Sequence, residues 1–120
     1  MSYPNKTVLE HLDRALGELL DGSVGVVHGV RNVLQWRFSS HGLPESLFDW
    51  FVGADSSTDH FPLGDVRARW DASALEKQDR KRDIAEAQLL DGALRAAANL
   101  RSAVRDALPG AFFRDPHPPS

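Results

Sequence analysis

No proline occurs between Pro62 and Pro109, and alanine and leucine dominate the second half of that interval. This stretch constrains the fold more than any other part of the chain. Ser73-Ala74-Leu75-Glu76 has the spacing of a capping box, a hydroxyl acceptor followed three residues on by a carboxylate. The pattern predicts a helix over 74–108, ended by Pro109-Gly110. Leu90, Leu94, Ala97, Val104 and Leu108 form one stripe, with Leu89, Ala93 and Leu100 beside it. Such a helix is about 50 Å long. A globule of 120 residues is only about 35 Å across. The helix must either break near Asp91-Gly92 or project beyond the body. Seven of the eight residues from 76 to 83 are charged, the composition of a solvated stretch.

The first half of the chain adds shorter elements. Thr7-Val8-Leu9-Glu10 is again spaced as a capping box. Val8, Leu9, Leu12, Leu16, Leu19 and Leu20 share a face, so a helix is expected over 7–20, stopped by Asp21-Gly22. Residues 24–37 are rich in valine, which favours a strand on propensity. Their spacing does not alternate, however. Val26, Val27, Val30, Val33 and Leu34 follow the helical template, with Ser23 as the expected cap. Gly25 and Gly29 weaken that helix.

Pro44 suits the first position of a short helix over 44–52, apolar nearly all round. Residues 53–65 are rich in Gly, Asp, Ser and Thr and are expected to be one long irregular loop, with a helical turn at 65–70. The expected architecture is all-α, with three to four helices in one domain over 1–108. A proline-rich tail, 109–120, follows.

Composition excludes several chemistries. The absence of cysteine removes disulfides, thiolate zinc sites and cysteine nucleophiles. No glycine pattern cradles phosphate. The five histidines lack metal-ligand spacing. Asp55, Ser57 and Asp59 alternate as in a calcium loop, but His60 and Val66 stand where a glycine and a bidentate acid are needed. No metal and no cofactor are expected. His60 beside Asp59, with Ser56 or Ser57, lacks the glycine-flanked serine of a nucleophile elbow, so no catalytic residue is assigned. No apolar run is long enough for a membrane span, and Met1 to Lys6 lack a signal-peptide core. A cytoplasmic setting without membrane contact is expected. Arginine outnumbers lysine 11 to 3, as in proteins of GC-rich bacterial genomes.

Charge is divided unevenly. Residues 1–65 hold 4 basic and 9 acidic residues, whereas 66–120 hold 10 and 8. Acids interrupt the run from Lys77 to Arg82, which argues against a nucleic-acid grip. The acidic half suits capture of a basic partner, such as a toxin-like protein. Trp36, Phe38, Phe48, Trp50, Phe51, Phe61 and Trp70 fall within 35 residues, as core or as interface anchors. Phe112-Phe113, in the tail, form a further candidate anchor.

The expected function is a protein-binding module of the inhibitor, immunity or adaptor kind. Its candidate partner-binding residues are Glu45, Asp49, Trp50, Asp55 and Asp59. One alternative is an enzyme or ligand-binding protein in which Asp55, Asp59, His60, Arg67 and Arg69 converge from the 53–65 loop. Another is a homodimer joined through the C-terminal helix.

Overall fold

A computed structural model describes residues 5–108. The expected tail, with Phe112-Phe113, lies outside the described residues. The chain forms four α-helices: α1 (Asn5–Asp21), α2 (Val26–Leu34), α3 (Asp49–Thr58) and α4 (Ala72–Ala107). Short 3-10 helices at Glu45–Phe48 and Gly64–Arg69 lead into α3 and α4. No strand occurs among the described residues.

The core draws on every helix. Leu9, Leu12, Leu16 and Leu19 of α1 meet Val26, Val30 and Val33 of α2, Phe48 and Phe51, and Ala93, Ala97, Leu100 and Val104 of α4. The valine run is therefore helical: its 3–4 spacing, which puts one face into the core, overrides β-propensity. Gly29 is needed where α2 crosses α1, because a Cβ there would lie 2.6 Å from Leu19 Cδ1. The turn between the two helices is made at Gly22, whose φ is 79°. The Ser23 N–H donates back to the Glu18 carbonyl at 3.0 Å, closing the end of α1.

Several local expectations are corrected. Thr7 lies inside α1 and does not cap it. Ser23 is not the cap of α2; Gly25 takes that place, and α2 ends at Leu34. The Val27 N–H at its start donates instead to Glu86 Oε2 of α4 at 2.8 Å. Pro44 precedes the first 3-10 helix as its cap rather than opening an α-helix. Ser73 sits in the first turn of α4, and Asp71 caps that helix by accepting from the Ala74 N–H at 3.3 Å. Leu90 is 45% exposed, and the packed face of α4 is the one carrying Ala93, Ala97, Leu100 and Val104.

The largest correction concerns 53–65, which is not an irregular loop. Helix α3 runs on to Thr58, and the second 3-10 helix begins at Gly64. Tertiary contacts override the poor helix propensity of Gly53, Ser56, Ser57 and Thr58. Phe51, Ala54 and Thr58 are buried on one side. The Ser57 and Thr58 hydroxyls donate to the Ala54 carbonyl at 3.0 and 2.7 Å. The Arg31 guanidinium of α2 donates to the Thr58 carbonyl at 2.8 Å, satisfying the end of α3.

Helix α4 does not break at Gly92. It is continuous over 36 residues, and the molecule measures 59 × 34 × 25 Å. Its first fully buried residue is Ala93, and residues 72–92 form its N-terminal arm, which still rests on the body through Glu86, Leu89 and Gly92. The inner face of the arm is held by charge. Arg67 makes a bidentate pair with Asp79 at 2.8 and 2.7 Å. Arg82 lies 3.6 Å from Asp79 and 3.7 Å from Glu86.

Hydrogen bonding from Arg67 holds the Asp79 carboxyl below its usual range, and bonding from Ser73 and Ala74 does the same for Asp71. Groups made more acidic by folding contribute fully above the ordinary carboxylate range near pH 4. That contribution is lost as the pH falls through the lowered values. Chemical shifts of residues 64–80 are therefore expected to move toward random-coil values on acidification, before those of α1. Simultaneous loss of both regions would show that this clasp does not hold the arm.

Candidate functional site

The acidic excess of the first half has a single source. From Phe38 to Val66 there is no Lys or Arg, whereas Glu45, Asp49, Asp55, Asp59 and Asp65 all fall there. The fold gathers this segment into the first 3-10 helix, α3 and the turn that follows. Glu45, Asp49, Asp59 and Asp65 are exposed. Among the described residues, Asp55 alone of the five has an ion-pair partner, Arg31 Nε at 3.5 Å.

Helical geometry fixes which of these residues share a face. Asp49, Val52, Ser56 and Asp59 follow one another at helical spacing along the outside of α3. Trp50 lies about 140° around the helix from Asp55 and about 180° from Asp59. The five expected partner-binding residues are thus divided. Asp55 reaches α2 through Arg31 and Asp59 stays on the outside, whereas Trp50 turns toward α4. Asp49 and Trp50 line an open groove of about 300 Å3 between α3 and α4, with Gly53, Ala54, Ser57 and Leu89. Trp50 meets Phe51 edge-on, with ring centroids 5.4 Å apart. Its indole also crosses Gly92 so closely that a Cβ there would lie 2.7 Å from Nε1.

The residues of the ligand alternative are engaged in different places. Asp55 pairs with Arg31, and Arg67 is committed to Asp79. The His60 ring lies against Phe61, 4.1 Å between centroids, and Arg69 is exposed. Asp55, Ser57 and Asp59 belong to a helix and its C-cap, so their two-residue spacing points them around α3 rather than toward one centre. Among the described residues, no group of three or more His, Asp or Glu side chains is placed to hold a metal ion. No helix is long and apolar enough to cross a membrane among the described residues.

Two charged clusters escaped sequence reasoning. Asp13 is buried on the inner face of α1, where Arg101 Nε donates to it at 2.9 Å and Arg105 Nε at 3.2 Å. The signal was available: Asp13 is one carboxylate inside the leucine stripe of α1. A buried carboxylate needs such partners. The second cluster is the Arg67–Asp79–Arg82–Glu86 chain described above. Its signal was weaker, because the charges of 76–83 read alike until the arm's inner face is known. Two contacts also fix the loop after α2. His11 and Trp36 stack 4.8 Å apart, and Asn5 exchanges two hydrogen bonds with the His41 backbone.

Replacing Asp13 separates two effects. Asp13→Ala is expected to cost about 1–2 kcal/mol, because Arg101 and Arg105 are partly exposed and turn to water when their acceptor is lost. Asp13→Leu extends the apolar stripe and is expected to recover most of that loss. Denaturant unfolding of both variants checks this, and equal losses would show that packing does not compensate.

Comparison with protein-family models, with curated proteins and with solved structures finds no significant match to the chain.

Proposed function

We propose that the chain is a protein-binding module of the inhibitor, immunity or adaptor kind, which takes a basic partner on the outer face of α3. A bacterial cytoplasm is the setting we propose with it. One observation carries this reading. The segment 38–66 has five acids and no Lys or Arg, and four of those acids are left at the surface without an ion pair among the described residues. Unpaired like charges gathered at one surface, Asp49 and Asp59 among them on the outside of α3, favour a complementary partner and speed its encounter. Rim charges of this kind govern association rate and its salt dependence. The groove beside Trp50 supplies an adjoining apolar edge. The ligand alternative has less support, since Asp55 and Arg67 are held by different partners.

The test is capture of a partner from the organism's own lysate, followed by kinetics. Asp49→Lys with Asp59→Lys is expected to slow association by about tenfold or more at low salt, with little change in dissociation. Both side chains are exposed, so the circular dichroism spectrum stays unchanged. A partner whose association ignores the double substitution and salt would remove this function.

A further inference from the structure

An open groove of about 420 Å3 follows the seam between α1 and α4, lined by Leu20 of α1 and by Ala98, Arg101, Ser102, Arg105 and Asp106 of α4. The two helices run antiparallel here. Asp13 meets Arg105 and Arg101, and Gly17 meets Arg101, so Leu20 falls beside Ala98. Leu20 and Ala98 therefore make the apolar end of the groove. Asp13 holds the heads of Arg101 and Arg105, which fixes their aliphatic stems along the wall. The other end of the groove, at Asp106, lies two residues before Leu108. Leu108 is buried and extended, with φ −75° and ψ 151°, so the chain leaves α4 from an anchored point beside the groove.

We infer that this groove is the docking site of the chain's own segment 109–113, with a phenylalanine ring seated between Leu20 and Ala98. Pro109 cannot continue the helix, and Gly110 admits a reversal of direction. Ala111-Phe112-Phe113 follow, and the residues after them are polar or proline. Reach selects this groove. Ser102 and Ala98 lie about 9 and 15 Å back along α4 from Leu108. Four or five extended residues, from Leu108 to Phe112 or Phe113, span about 13–18 Å. The groove beside Trp50 is out of range, because Leu89 lies about 28 Å from Leu108 along the same helix. Adjacent extended side chains point to opposite sides, so one ring enters and its neighbour stays at the rim. The lining suits an aromatic ring: Leu20 and Ala98 are apolar, and an arginine presents both an apolar stem and a guanidinium that ring faces attract. The chain makes that contact elsewhere, with the Arg37 guanidinium 4.7 Å from the Phe38 ring centroid. No residue of α3 lines this groove, so the inference stands apart from the partner-binding reading.

Nuclear magnetic resonance of the full chain gives the test. In the unaltered protein, nuclear Overhauser contacts are expected from a ring of Phe112 or Phe113 to the Leu20 and Ala98 methyls, with those methyls displaced upfield by the ring current. Phe112→Ala with Phe113→Ala is expected to abolish the contacts and return the methyls downfield. Both substitutions lie beyond Leu108, outside the core, and an unchanged circular dichroism spectrum shows that the variant is folded. Dilution is expected to leave the displaced methyls where they are, because the contact forms within one chain. Absence of any ring contact at Leu20 and Ala98 in the unaltered chain overturns the inference, as do methyl shifts that ignore the double substitution. Contacts seen only between isotope-labelled and unlabelled copies, and lost on dilution, place a second copy's tail in the groove and overturn it as well.

Discussion

Replacing Phe51 by alanine is expected to remove about 3–5 kcal/mol of stability. Phe51 is fully buried, and Phe48 beside it is 2% exposed. The void cannot be filled cheaply, because the ring lies in a core shared by all four helices. Small domains have only about 5–15 kcal/mol of net stability, so this one change takes a large share. The expected fall in melting temperature is roughly 15–25 °C for a domain of this size. Trp50→Ala is expected to cost less, since Trp50 is only half-buried and faces the groove. Unfolding followed by circular dichroism measures both. A loss for Phe51→Ala below that for Trp50→Ala would reverse the assignment of core and surface aromatics.

That assignment shows what the sequence made legible. An apolar period of 3–4 residues marked α1, α2 and α4, because burial of one face drives those helices and leaves its spacing in the sequence. Length against size left two outcomes for α4, a break near Gly92 or an overhang, and did not choose between them. Neither argument reached α3. Its last turns are Gly53, Ala54, Asp55, Ser56, Ser57 and Thr58, residues that favour loops when only local energies count. They are helical because Arg31, 27 positions before Thr58, holds the helix end. A side chain that distant in sequence gives no local signal.

The same limit explains the caps. Glu86 serves the start of α2 from 59 residues away, and no capping motif near Gly25 announces it. At the candidate site, the five acids were legible as charge. Their arrangement around α3 required its second half, residues 53–58, which sequence reasoning had read as loop. Asp13 differs, because a carboxylate within a leucine stripe is visible in the sequence and demands a cationic partner.

Replacing Gly92 by leucine tests whether the unbroken α4 depends on the indole that crosses it. Leucine is the better helix former by nearly 1 kcal/mol, so propensity alone would stabilise the helix. Packing opposes this. A Cβ at residue 92 would lie 2.7 Å from Trp50 Nε1 and 3.0 Å from Cε2 and Cζ2. These atoms belong to a rigid ring that already meets Phe51 edge-on, so the ring must swing outward as a unit. Overpacking of this kind costs about 1–3 kcal/mol, which outweighs the propensity gain. Gly92→Leu is therefore expected to destabilise the protein, shift Trp50 fluorescence toward that of an exposed indole and open the groove between α3 and α4. Ala87→Leu, on an exposed part of the arm, supplies the control, with an effect within about 0.5 kcal/mol. If Gly92→Leu stabilises the chain as propensity predicts, Trp50 does not pack on α4 in solution, and the groove beside it does not exist as a preformed edge of the α3 face.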